Sequence, residues 1–358
     1  MTEAQASPQS ASAPGKLRKW TGYLFKYGLP LLITTGLCYL LFNGVDINQM
    51  IDIIRHNCNY WWITLALAIS IFSHVARAMR WRIQLNALNI KVPAYILTLS
   101  IFGTYAVNLV FPRLGELWRS GWIAQRQKAS FTEVLGSMVA ERLADAVTVL
   151  TLTLVTFLLA GSTLERYLSQ NPAMYDKIHG LLTSPWLWAS IAALAAGIWA
   201  VFALCPDNKA VKKVRGIIKG LWDGFAVIAV MPGKGMWLVW TVVLWGCYFT
   251  QLYVAFYAFP VTTQVVEQFG LTAVLVCFTL SSISMGVPSN GGIGPWQWAI
   301  IFGLSMYAYA VPGLTTGYSA AFANLVMGSQ TLLLIVLGII TFTYIAIDRK
   351  RNNSLKHP

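Results

Sequence analysis

Three stretches place chemically capable side chains inside otherwise apolar sequence: FPRLGELWRSG (111–121), FTEVLGSMVAERLADAVTVL (131–150) and VPSNGGIGPWQW (287–298). The first sets Arg113, Glu116 and Arg119 directly behind the apolar run AYILTLSIFGTYAVNLV (94–110). The second carries Glu133, Ser137, Glu141 and Asp145 at intervals of four, continued by Thr148, and so lines one face of a helix. A charge at the bilayer centre costs at least about 2.5–3.5 kcal/mol, so such residues need partners or a purpose. Arginine beside the free amides of a helix N-terminus makes a site for an anion such as phosphate. Intramembrane carboxylates suit proton exchange or the orientation of those arginines.

In the first stretch Pro112 removes a backbone donor and its φ suits a first helical turn. Gly115 lets another backbone approach, and Glu116 falls in the first turn of the outgoing helix, where the dipole favours an acid. Glu116 and Arg119 lie three apart and can pair, which leaves Arg113 uncompensated and available to an anion. In the second stretch Glu141 lies roughly 15 Å into the helix, at about 1.5 Å per residue. Arg142 is three before Asp145 and can pair with it; two acids and one base leave a negative charge for Arg113 or Arg119 to meet. In the third stretch Gly291, Gly292 and Gly294 free the backbone, and Pro295 stands where a proline starts a helix, with Gln297 two residues on. A structural ion-pair network and a plain glycine-rich connection are the competing readings.

Further polar residues have simpler accounts. Ser70, His74, Arg77 and Trp81 share a helix face; Arg77, Arg80 and Arg82 read as snorkelling anchors and His74 as a hydrogen-bonded packing residue. Asn324 and Gln330 read as interhelical hydrogen-bonding groups.

The elements that must position these residues are membrane spans. The 358 residues are 56% hydrophobic and 11% charged, far below the roughly 25% charge of a soluble domain. Spans of about 20 apolar residues are expected near 27–45, 60–78, 131–160, 184–204, 236–259 and 319–347. Two further pairs, 94–110 with 114–126 and 270–287 with 293–311, are interrupted by Pro and Gly and read as re-entrant broken hairpins. The expected fold is all-α and polytopic, with about six full spans and two hairpins. Residues 1–25 form a polar, disordered tail, 26–348 the transmembrane domain and 349–358 a basic tail. The formal net charge of +13 comes from basic residues in short loops, so it signals orientation rather than nucleic acid. Both termini come out cytoplasmic, in a multi-pass protein of the inner membrane. The halves 26–162 and 180–348 repeat one order of elements from opposite sides, with Pro112 and Pro288 at matching breaks. Such an inverted repeat with two interrupted segments points to a transport site at the midplane.

No Walker A loop, GxSxG elbow, HExxH or Asp-rich cluster is present, and the five cysteines form no CxxC pair. No enzymatic activity, cofactor or metal is expected. The longest connection, about 205–235, is too short for a catalytic domain.

PRLGELWR (112–119), then Glu141, Arg142 and Asp145, then GGIG (291–294), together resemble the lysylphosphatidylglycerol synthase transmembrane-region family of flippase-like membrane proteins. The resemblance covers about 27–347. It implies a lipid-flippase-like domain; the soluble aminoacyl transferase of the fused members has no counterpart here. One departure is Gln297, where the family's second hairpin usually carries a glutamate. The expected ligand is a membrane lipid with an anionic headgroup, met by Arg113, Arg119 and the half-helix amides, with Glu141, Arg142 and Asp145 orienting the arginines or exchanging a proton. A non-transporting subunit that supports a glycosyl- or aminoacyl-transferase is the main alternative. A membrane-embedded transferase using Glu141 or Asp145 as base is a third.

Overall fold

The computed structural model describes residues 47–354 except 205, 210, 213, 217–227 and 229. The expected first span (27–45), the N-terminal tail, most of the 205–235 connection and the end of the basic tail lie outside the described residues.

Five helices are long and apolar enough to cross a membrane, by length and composition: α2 (Tyr60–Ala87), α5 (Phe131–Gln170), α7 (Pro185–Leu204), α8 (Lys234–Phe256) and α12 (Thr316–Ser354, with Thr316–Lys350 as the span). They coincide with the five expected spans that fall in the described region. No strand occurs among the described residues, and the protein is an all-α, polytopic membrane protein. α2 starts where the Asn59 side chain accepts the Trp61 N–H at 3.1 Å, satisfying one of the donors a helix start leaves free.

The first interrupted pair is α3 (Ala94–Val110) and α4 (Leu114–Gln127), broken at Phe111–Arg113. The second is α10 (Leu271–Ser284) and α11 (Pro295–Ser305), separated by the glycine-rich loop. Pro295 takes the first turn of α11 as expected. Pro112 does not do the same for α4. It lies in the turn ahead of the helix, because Arg113 at φ +59° ends the reversal and α4 starts at Leu114.

Three short helices were not foreseen: α1 (Ile47–Asn57), α6 (Pro172–Leu182) and α9 (Pro260–Phe269). α9 continues from the end of α8 and is bent by 112° from α10 at Gly270, whose φ of +63° suits a residue without a Cβ.

α8 lies along α2, α5 packs on α4 and α10, and α12 packs on α1, α3 and α11. One core gathers Phe256, Phe259 and Phe322 with neighbours from α1, α8, α10 and α11. A second gathers Trp81, Leu85, Ile96, Leu97 and Ile123 from α2, α3 and α4. α7 is apolar along its length and long enough to cross a membrane, and none of its residues is buried.

The breaks of the two interrupted pairs touch. The Asn290 amide donates to the Leu109 carbonyl at 3.2 Å, and Arg113 donates to the Gly286 carbonyl at 2.7 Å. The apposition expected of the two hairpins is therefore present in the fold.

Candidate functional site

Two groups of polar residues lie in the apolar bundle: a buried ionic network, and the paired breaks beside it.

Glu141 is the network's centre and is fully buried. Its Oε1 accepts from Arg77 at 2.8 Å and Arg80 at 2.9 Å, and its Oε2 accepts from Arg119 at 3.1 Å. One helical turn on, Asp145 meets Arg77 at 3.0 Å, Arg80 at 2.8 Å and Arg142 at 3.6 Å. Arg142 also donates to Glu116 at 3.1 Å. The four-residue spacing of α5 puts Ser137, Glu141 and Asp145 on the face toward α2 and α4; Glu133, at the helix start, is exposed. The three-residue spacing of Arg77 and Arg80 on α2 turns both toward them.

Aromatic rings wall the network. The Arg119 guanidinium carbon lies 4.2 Å from the Trp81 ring centroid, and Trp81 donates its indole N–H to Ser137 at 3.0 Å. Arg80 lies 5.5 Å from the Trp237 ring, and Arg77 donates to the Tyr248 hydroxyl at 3.2 Å. Charge pairs shielded in this way act at low dielectric, where both attraction and desolvation are large.

These contacts correct four expectations. Arg77 and Arg80 are not snorkelling anchors: they are 3% and 0% exposed and serve the carboxylates of α5, whereas Arg82, on the opposite side of α2, is exposed. Glu116 and Arg119 do not pair with each other; α5 offers each a closer partner, Arg142 and Glu141. The negative charge of the Glu141–Arg142–Asp145 group is met chiefly by α2, with Arg119 as a third contributor, and Arg113 takes no part. His74 makes no hydrogen bond among the described residues and packs its ring on Tyr105 at 4.7 Å and Phe102 at 5.9 Å.

The breaks hold the remaining candidates. Asn108, on the last turn of α3, does two jobs: its Oδ1 accepts the Gly115 N–H at 2.8 Å and its Nδ2 donates to Glu116 at 3.1 Å. It caps α4 from outside and orients the acid that holds Arg142. Gly115 is required because a Cβ there would strike the Thr104 carbonyl and come within 2.8 Å of the Asn108 oxygen. Arg113 is exposed, sits in the left-handed region at φ +59°, and has only the Gly286 carbonyl as a hydrogen-bond acceptor among the described residues.

Across from it, Gly291, Gly292 and Gly294 all have positive φ. A Cβ on Gly291 would meet the end of the Leu109 side chain at 2.6 Å, and its φ of +62° favours glycine there whatever the space. Gln297 accepts the Gly294 N–H at 2.7 Å and donates to Asn324 at 3.4 Å; the amide caps its own helix and ties it to α12. Ser289 is buried, and its hydroxyl has no partner among the described residues.

The ten residues singled out from sequence thus separate. Glu116, Arg119, Glu141, Arg142 and Asp145 form one network, while Arg113, Gly291, Gly292, Gly294 and Gln297 belong to the breaks. Sequence reasoning missed Asn108, Asn290 and the network role of Arg77 and Arg80. A lone asparagine near the end of an apolar run, and two arginines three apart, were the available signals.

The family model for the lysylphosphatidylglycerol synthase TM region matches residues 28–338, the greater part of the chain. No curated protein and no solved structure matches it. The chain belongs to this family of membrane regions.

Proposed function

From that membership, we propose that the protein moves an amphiphilic lipid with an anionic, phosphate-bearing headgroup across the inner membrane, with both termini cytoplasmic. The observation that carries the reading is Arg113. It is an exposed guanidinium at the break of an interrupted helical pair, and no carboxylate meets it among the described residues. Every arginine of the adjacent network has a carboxylate partner. A cation so placed attracts the one part of a lipid that needs a polar route, while acyl chains stay in the bilayer. Ser289, Asn290 and the glycine amides of the facing loop supply further polar groups for phosphate oxygens. In this reading the headgroup meets Arg113, while Arg119, Glu141, Arg142 and Asp145 hold α4 in position. No covalent step is assigned to the chain.

The self-pairing of the buried network favours one second reading. A bundle whose charges mainly satisfy one another serves equally as a non-transporting subunit for a glycosyl- or aminoacyl-transferase. A translocation assay in liposomes separates the two. Protein-dependent movement of fluorescent phosphatidylglycerol, absent for a neutral-headgroup lipid and lost in folded Arg113→Gln, is the expected result. If neither that lipid nor a polyprenyl phosphate moves, the transport reading falls.

A further inference from the structure

The buried network is not charge-neutral. Arg77, Arg80, Arg119 and Arg142 face Glu116, Glu141 and Asp145, an excess of one positive charge among the described residues. The heart of the group is buried: Arg77, Arg80, Arg119 and Glu141 are at most 3% exposed, and Asp145 is 9% exposed. The hydrogen-bond count leans the same way: five donors lack a partner against one carboxylate oxygen, Asp145 Oδ1, which Arg80 approaches at 2.8 Å as an ion pair without hydrogen-bond geometry. Arg80 Nε and Nη1, Arg119 Nε and Nη1, and Arg142 Nε are buried donors without a partner among the described residues. Stacking of Arg119 over Trp81 does not relieve this, because guanidinium N–H bonds lie in the plane of the group and a ring covers only its face. Arg80 and Arg119 share Glu141, and Arg80 and Arg142 share Asp145, so the three side chains that carry the unpaired donors are joined through the same two carboxylates. Arg142 opens the group to the outside, with 36% of its side chain exposed.

We propose that this network is an anion site in its own right, taking one singly charged anion against the unpaired N–H groups of Arg80, Arg119 and Arg142. One negative charge matches the excess, and the planar N–H forks match oxyanion or halide acceptors. The anion is either a free inorganic ion or the phosphodiester of a lipid headgroup. The site is separate from the paired breaks and does not depend on the transport reading.

The test is thermal unfolding of the purified full chain in detergent, with ionic strength fixed by sodium gluconate. Chloride or nitrate replaces gluconate in one arm; phosphatidylglycerol replaces phosphatidylcholine in mixed micelles in the other. Binding to the folded state raises the midpoint with the logarithm of ligand concentration, on the order of 2 °C per tenfold once the site is saturating. A response in the first arm assigns a free ion, and a response in the second alone assigns the headgroup. No response in either overturns the proposal.

Charge counting supplies the variants. Arg142→Gln removes the excess and should abolish the response. Glu116→Gln doubles the excess and should bring the response on at a lower ligand concentration. The double variant restores an excess of one and should recover it. This ladder remains readable if either single variant alone folds poorly. A response indifferent to all three places the anion elsewhere and overturns the proposal. Arg113→Gln should keep the response, and its loss there would overturn the assignment to the network. An intact anion response with no lipid movement sinks the transport reading and leaves this one standing.

Discussion

At the scale of single residues, the network and the breaks make opposite demands. Glu141 holds three guanidiniums, so Glu141→Gln should destabilise the protein by about 3–5 kcal/mol, the cost of leaving buried charges unpaired. Denaturant unfolding in detergent checks this, and a loss under about 1 kcal/mol would mean the charges are solvated after all. Arg113 behaves in reverse. Its left-handed backbone costs a residue with a Cβ about 1 kcal/mol relative to glycine, so Arg113→Gly should hold or raise stability while stopping movement of anionic lipid. A stable variant with transport intact would remove Arg113 from the headgroup site. The residue types of the site were legible from the sequence, because a charge inside an apolar run announces itself. The partners were not. Glu116 and Arg119 are three apart on one helix, yet tertiary apposition gives each a partner on α5. Local spacing names what a side chain can reach, and only packing decides which of the reachable groups arrives.

At the scale of elements, apolar length disclosed every long helix in the described region, since a span must be about 20 residues to cross. The short helices escaped for the same reason. α1 and α9 have 11 and 10 residues and satisfy no length criterion. The most constrained element is α4, whose 14 residues are held by Glu116, Arg119 and, toward the far end, an ion pair between Arg126 and Asp348. Its seat on α3 depends on Gly115. Gly115→Ala would force the Thr104 carbonyl or the Asn108 cap aside, with a penalty of about 1–3 kcal/mol typical of overpacking. Because the same shift moves Glu116 away from Arg142, transport should fall by more than the stability loss explains. Unfolding and translocation measured on the same preparation compare the two, and parallel small losses would mean that α4 tolerates displacement.

For the whole molecule, the contact between breaks decides how an alternating mechanism could work. Asn290 reaches the Leu109 carbonyl and Arg113 reaches the Gly286 carbonyl, so the two interrupted pairs close on one another where a headgroup would pass. A transporter built this way must separate the breaks once in every cycle, exchanging three hydrogen bonds for contacts to substrate. Pinning them should stop it. In Leu109→Cys/Asn290→Cys, oxidation should halt the movement of anionic lipid that the reduced form shows, and reduction should restore it; in each single-cysteine variant the rate, whatever its level, should be the same under both conditions. The scaffold reading predicts something different: a clamped pair would support a transferase partner as well as a free one, since nothing in that role requires the breaks to part. If the oxidised double variant translocates lipid at the unpinned rate, the passage does not run between the breaks, and Arg113 contacts the headgroup only at rest. Full arrest with an unchanged unfolding midpoint would locate the moving part of the bundle at this contact, leaving the ionic network of α2, α4 and α5 as the fixed frame against which it moves.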